Sequence, residues 1–297
     1  MISLSLSPRL FLAGWMVACG VALVPHAAAA QSTDGLETAI RSIEADMKAG
    51  TIGVALNDTQ GDFNWSYRGD ERFPMNSSFK AFACAALLSQ VDDGVSDLGT
   101  PFAIKDGTLI HWSPITEKRV GSSMTLRELC EAALTMSDNT AANAILDTIG
   151  GPSGFTDFMT SIGDETTRLD RREPELNEAV PGDPRDTTTP NAAITSLQAL
   201  LHGNMLSPRS REVLETWMIN DKVANDLVRK VLPKGWKIAD KTGAGGHGSR
   251  GIVAMVTPPQ KEPLFLAIYL RDTQMDLKQR NATIARVADV ILKRVAQ

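Results

Sequence analysis

Apolar residues recur with helical spacing over residues 33–49, whereas the two segments that follow, TIGVALND and DFNWSYR, alternate in the manner of a β-hairpin. From residue 78 to about 220 helical spacing dominates, broken by a long polar stretch over 164–190. Strand-like runs return in GWKIADKT, RGIVAMVT and LFLAIYL, and a final helix is predicted over 276–296. Strands at both ends with helices between them predict a sheet whose first strands are joined by the last ones. The helical middle is then a large insertion, and a cleft is expected where the two parts meet. The chain shows no internal repeat, low-complexity tract or flexible linker.

The first thirty residues fit none of these elements. Arg9, an apolar stretch from Leu10 to Val24 and the small residues of HAAAAQ read as an export signal cleaved after Ala30. The remaining 267 or so residues are enough for one large domain or two closely packed ones. No second apolar stretch reaches membrane-spanning length, so no membrane contact is expected of the mature protein. Loss of Arg9 takes the formal charge from −5 to −6, and a mildly acidic surface argues against nucleic acid as a partner. Cys19 lies in the leader, which leaves Cys84 and Cys130. In an exported chain that pair predicts a disulfide, two buried thiols being the alternative. MVAC around Cys19 loosely matches a lipoprotein cleavage site, but GVALVPHAAAA would then be an exposed apolar leader on the mature protein.

Chemistry enters with FPMNSSFKAFACAAL. If a helix begins near Ser77, Lys80 shares its face while Ser78 points elsewhere, so Ser77 and Lys80 can touch. A lysine among Phe79, Phe82, Ala83 and Leu87 loses hydration, and the helix N-terminus acts in the same direction, which makes the neutral amine accessible. A neutral amine beside a hydroxyl is a base beside a nucleophile. Such a pair arises by chance about once in a chain of this length, so it carries little by itself. MSDNTAANAIL places Ser137, Asp138 and Asn139 before another helix, where a capping role for Asp138 or Asn139 is the plainer account. IADKTGAGGHGSRGIVAM places Lys241, Thr242 and Gly243 at a strand end. Gly243, Gly245 and Gly248 match the spacing of a dinucleotide-binding fingerprint, but they lead into a strand-like run and offer no helix N-terminus to a pyrophosphate. They are expected instead to let an edge strand approach a ligand closely.

In this order the three motifs resemble the set shared by class A β-lactamases and penicillin-binding proteins. RREPELNEAVPGDPRDTTTP resembles the Ω-loop of class A β-lactamases, and IHWSPITEK resembles the aromatic rim of their site. The resemblance covers essentially the whole mature chain. It implies an α/β (α+β) fold: an antiparallel sheet flanked by helices, drawn from residues 31–75 and 221–297, against an all-α domain over 76–220. It also implies a periplasmic monomer that hydrolyses β-lactams without cofactor or metal and confers resistance to them. Ser77 would attack the lactam carbonyl, with the backbone N–H groups of Ser77 and Ala244 around the oxyanion. Lys80 and Glu173, the latter through a water, both remain candidates for the acylation base. Ser137 would pass a proton to the leaving nitrogen, and Asn139 would hold the substrate's side-chain amide. Lys241, Thr242, Gly243 and Arg250 would line the seat of its carboxylate, and Trp112 would stack at the rim. Asn177 would share the deacylating water with Glu173, Pro174 would follow a cis bond, and an Arg171–Asp186 pair would close the loop.

Alternatives from other classes are weaker. A peptidoglycan D,D-peptidase shares the three motifs but gains nothing from Glu173 and Asn177. A β-lactam sensor that stays acylated should carry a membrane span. Three mature histidines, His111, His202 and His247, have no zinc-ligand spacing, and GPSGF misplaces the second glycine of a serine-hydrolase elbow. Asn76 stands where many relatives of this resemblance carry a cysteine, methionine or small hydroxyl residue. Carbapenem-hydrolysing relatives often bridge that position to the one held here by Gly245. Penicillins and early cephalosporins are therefore the expected substrates.

Overall fold

The alternating segments near the start of the chain and the apolar runs near its end join in one sheet. The computed structural model describes Met1, residues 27–59 and residues 63–296. The leader, with Cys19, lies outside the described residues except for Met1 and the helical backbone from Ala27. Helix α1 (Ala27–Ala45) precedes a hairpin of β1 (Thr51–Asp58) and β2 (Asn64–Tyr67), with Leu56 opposite Trp65. Next, β3 (Phe73–Pro74) leads through a 3₁₀ turn at Asn76–Ser78 into α2 (Phe79–Asp92). A ribbon of β4 (Pro101–Ala103) and β5 (Ser123–Thr125) precedes α3 (Leu126–Thr135), α4 (Asn139–Thr148) and α5 (Gly151–Ser161). After a long loop, β6 (Thr187–Thr188) pairs with β3, and α6 (Pro190–Leu201) and α7 (Pro208–Ile219) follow. Strands β7 (Lys237–Ala244), β8 (Arg250–Thr257) and β9 (Leu264–Arg271) complete the sheet before α8 (Leu277–Val295). The sheet order is β2-β1-β9-β8-β7, antiparallel throughout, so the first strand pairs with the last along Thr51–Asp58. This is the α/β architecture that the sequence implied.

Both faces of β8 and β9 are covered, which is why they read as apolar runs rather than as alternating strands. Ile252, Ala254, Leu266 and Ile268 face one way, into a core shared with Ile40 of α1 and Ile284 and Ile291 of α8. Val253, Met255, Phe265 and Tyr269 face the other way, into the core around α2. Every residue of α2 from Phe79 to Leu88 is buried, as befits a helix apolar on all sides. Each large side chain buried there contributes about 1.5–3 kcal/mol. Lys80 is the charge that this burial encloses.

The helical segment differs from expectation in two respects. It contains the ribbon β4–β5 and the strand β6, which pairs with β3 just before the segment, and two or three residues per strand are too short for any periodicity to register. Ser77 also sits in a 3₁₀ turn, and the α-helix starts two residues later, at Phe79.

Cys84 of α2 and Cys130 of α3 form the expected disulfide, with Cα atoms 5.8 Å apart. The bridge closes 46 residues of chain, which restricts the unfolded state and stabilises the fold by about 2–4 kcal/mol. Oxidised protein should show no reactive thiol in guanidinium, and Cys84→Ala/Cys130→Ala should unfold at lower urea by that margin. Two thiols titrating in freshly exported protein would contradict the bridge.

Candidate active site

The 3₁₀ turn holds Asn76 at φ +45° and presents Ser77 half-buried at the start of α2. Among the described residues no hydrogen bond engages Ser77 Oγ, so none joins it to Lys80. The Lys80 ammonium is held instead by the turn before α4 and by the loop of Glu173. Its Nζ donates to Asn139 Oδ1 at 2.6 Å, to the Ser137 carbonyl at 2.9 Å and to Ser137 Oγ at 3.3 Å, and stands 3.1 Å from Glu173 Oε1. These acceptors satisfy a buried ammonium better than one hydroxyl could. Burial pushes the Lys80 ammonium below its ordinary pKa, against the opposing charges of Glu173 and Asp138.

Asp138 is the structural member of its motif. Its carboxylate caps α4 by accepting from Ala141 N at 2.9 Å, and also accepts from Ile115 N, Thr116 N and Thr116 Oγ1. That leaves the flanking residues to face the cleft. Ser137 is held at φ +58°, and Asn139 donates from Nδ2 to the His111 carbonyl at 2.8 Å while its Oδ1 receives Lys80. Trp112 stands at the edge, half exposed, with Nε1 donating to the Met136 carbonyl.

Glu173 reaches the same point from the long loop, 2% exposed and followed by a cis bond to Pro174. Asn177 Nδ2 donates to Glu173 Oε2, and no aligned donor meets Oε1. The backbone of Glu173 is clamped on both sides by Asn143: the Glu173 N–H donates to Oδ1 at 3.0 Å, and Nδ2 donates to the Glu173 carbonyl at 2.8 Å. Sequence reasoning missed Asn143, although it lies one helical turn after Asn139 on the same face of α4. Arg171 Nε donates to Asp186 Oδ2 at 2.6 Å, and the other oxygen of Asp186 accepts the N–H groups of Asp170 and Arg171. The two ends of the loop are thereby tied together.

The edge strand β7 forms the remaining wall. A Cβ on Gly243 would stand 2.5 Å from the Met75 carbonyl and 3.0 Å from Ser77 N, so only glycine lets β7 lie this close to the nucleophile's turn. A Cβ on Gly245 would stand 2.1 Å from Asn76 Oδ1, and one on Gly246 would stand 2.3 Å from the Glu178 carbonyl. These glycines admit the protein's own backbone and side chains at close range. Lys241 and Thr242 are buried beside Gly243, and Ala244 pairs across the ladder with Arg250. Arg250 Nη1 donates to the Gly243 carbonyl and Nε to Asn281 Oδ1, each at 2.8 Å. Burial and the nearby Arg280 push Arg250 down to about 10, and burial pushes Lys241 down to about 8. Sequence reasoning also missed Asn281 and the Asn76–Ser249 hydrogen bond (3.0 Å), whose partners lie far apart in the chain.

Residues 35–295 match the model of a family described as the Beta-lactamase enzyme family. The chain is 48% identical to Beta-lactamase AER-1 of Aeromonas hydrophila, over 95% of this chain and 93% of that protein. It is 45% identical to Beta-lactamase CARB-3 of Pseudomonas aeruginosa, over 91% and 94%. The chain belongs to the β-lactamase enzyme family. Solved structures agree on the class. The fold superposes on the chromosome-encoded β-lactamase of Vibrio parahaemolyticus with a TM-score of 0.86 at 48% identity, covering 88% of this chain and 99% of that one. An ancestral class A β-lactamase gives 0.85 at 48% identity, covering 87% and 99%. This β-lactamase is accordingly a class A serine enzyme that hydrolyses β-lactams.

Proposed function

We propose that the enzyme hydrolyses penicillins and early cephalosporins through an ester on Ser77, which a water activated by Glu173 then removes. The observation that carries the reading is the convergence of Ser137, Asn139 and Glu173 on the buried Lys80 ammonium, one helical turn after Ser77. Ser77 Oγ attacks the lactam carbonyl and loses its proton either to Lys80 or, through water, to Glu173. The N–H groups of Ser77 and Ala244 stabilise the oxyanion as the C–N bond breaks, and Ser137 Oγ supplies the proton that the leaving nitrogen needs. Asn139 takes the substrate's side-chain amide, and Trp112 stacks against it at the rim. Lys241, Thr242 and Arg250, with the Gly243 backbone, seat the carboxylate; Arg250 Nη2 has no partner among the described residues.

For deacylation, Glu173 Oε1 takes a proton from water as its oxygen attacks the ester, and Ser77 regains its proton as the acid departs. Asn177, through Oδ1, holds the same water. A D,D-peptidase has no use for a carboxylate so placed, which favours the hydrolase reading of this loop. The leader and the disulfide support export to the periplasm, where a monomer of this kind protects the cell wall machinery from β-lactams. No helix among the described residues is long and apolar enough to cross a membrane.

Substrate range follows from two side chains. Asn76 fills the space behind Gly245, and neither is a cysteine, so the wall is not covalently braced there. Steady-state kinetics on a penicillin, an oxyimino-cephalosporin and a carbapenem should give kcat/KM in descending order. A carbapenem hydrolysed as efficiently as the penicillin would overturn this range.

A further inference from the structure

Lys241 has a buried partner that the steps above do not use. Asp221 comes from the turn after α7, and its Oδ2 stands 3.8 Å from Lys241 Nζ, both side chains being fully buried. Its Oδ1 accepts from Val223 N at 2.7 Å, whereas no hydrogen bond reaches Oδ2. A buried carboxylate oxygen without a donor is unfavourable unless a charge nearby compensates it, and Lys241 is the cation within ion-pair distance. Lys241 Nζ itself donates to the Thr242 carbonyl at 3.1 Å.

The charges facing Lys241 come from four elements. Asp221 and Asp240 favour the ammonium, whereas Lys80 of α2 and Arg250 of β8 oppose it. Asp240 is already engaged by Arg229, whose Nη2 donates to Oδ1 at 2.7 Å and whose Nε lies 3.1 Å from each oxygen. Asp221 is the less committed anion, and its influence is the largest of those that raise the affinity of Lys241 for its proton.

We propose that Asp221 is a positioning residue for the substrate carboxylate, keeping Lys241 charged and aimed within the seat. The inference rests on the reading of Lys241 as part of that seat. Lys241 is pushed down to about 8, so it is an ammonium below that pH and loses its charge as pH rises through it. For a penicillin with a free carboxylate, kcat/KM should therefore fall above pH 8.

Asp221→Asn keeps the shape and the acceptor for Val223 N but removes the charge. The alkaline limb should move down by about one to two pH units, because a carboxylate at this distance shifts a partner by that much. KM at pH 8 should rise about five- to fiftyfold, with kcat changed far less. The methyl ester of the same penicillin lacks the carboxylate and should show neither effect, and Asp221→Glu should restore part of the wild-type profile. An unmoved limb, or an equal loss on acid and ester, would overturn the role of Asp221. Lys241→Ala separates the two readings: if it leaves the preference for acid over ester intact, the seat itself is misassigned. Asp221→Ser, which also keeps an acceptor for Val223 N, serves if Asp221→Asn does not fold: an alkaline limb left at the wild-type pH in it would overturn the proposal.

Discussion

Glu173→Ala protein mixed with a penicillin should gain the mass of one penicillin molecule on Ser77 and then stop. Truncation at Cβ leaves the Asn143 clamp intact, because that clamp grips the backbone of residue 173. The oxyanion donors and Lys80 stay in place. Loss of the carboxylate removes the stronger of the two charges that favour the charged form of Lys80, so more of the amine is neutral and acylation continues. Deacylation loses its base, and loss of a general base slows a step about 10²- to 10⁴-fold. Stopped-flow traces should show a burst of about one equivalent and negligible turnover thereafter. Ser77→Ala, which lacks the nucleophile, should take up no mass at all. Turnover by Glu173→Ala near the wild-type rate would remove Glu173 from the hydrolytic step and leave Lys80 as the base for both halves.

The parts of the molecule that were legible in the sequence are those where a local pattern has one structural solution. RGIVAMVT and LFLAIYL are apolar at consecutive positions, and a strand of that kind belongs at the centre of a covered sheet, where β8 and β9 lie. An apolar run on all sides of α2 with one lysine in it gave both a buried helix and a charge that burial must perturb. Asp138 or Asn139 read as a cap, and Asp138 is the one that caps α4. Partner choice across the cleft was not legible. Lys80 sits one turn from Ser77, yet its hydrogen bonds go to residues 57 and 59 positions away, because burial makes the number of acceptors decisive. Nothing local announces that Gly243 must admit the Ser77 backbone or that Asn143 must hold Glu173, since both depend on how distant segments pack. The roles given to Ser137, Asn139 and Glu173 came from resemblance to a family. Physical chemistry alone gave only the weaker statement that a base lay near a nucleophile.

Lys80→Ala should fail at the opposite half of the reaction. The substitution removes the group that binds Ser137 Oγ, the Ser137 carbonyl and Asn139 Oδ1 together, so the proton donor to the leaving nitrogen and the amide that orients the substrate both lose their common anchor. If Lys80 is the acylation base, its loss slows ester formation by about 10²- to 10⁴-fold, and rapid-quench mass spectrometry should find the free enzyme accumulating rather than the ester. The ester that does form should still hydrolyse, because Glu173 keeps the donor from Asn177 and its backbone clamp. Stability should fall as well. Glu173 would become a buried carboxylate without its counter-charge, a change that costs about 3–5 kcal/mol, and urea unfolding measures it directly. Acylation slowed less than tenfold, in protein shown to be folded, would assign the acylation base to Glu173 acting through water. Lys80 would then serve to hold Ser137 and Asn139 in place.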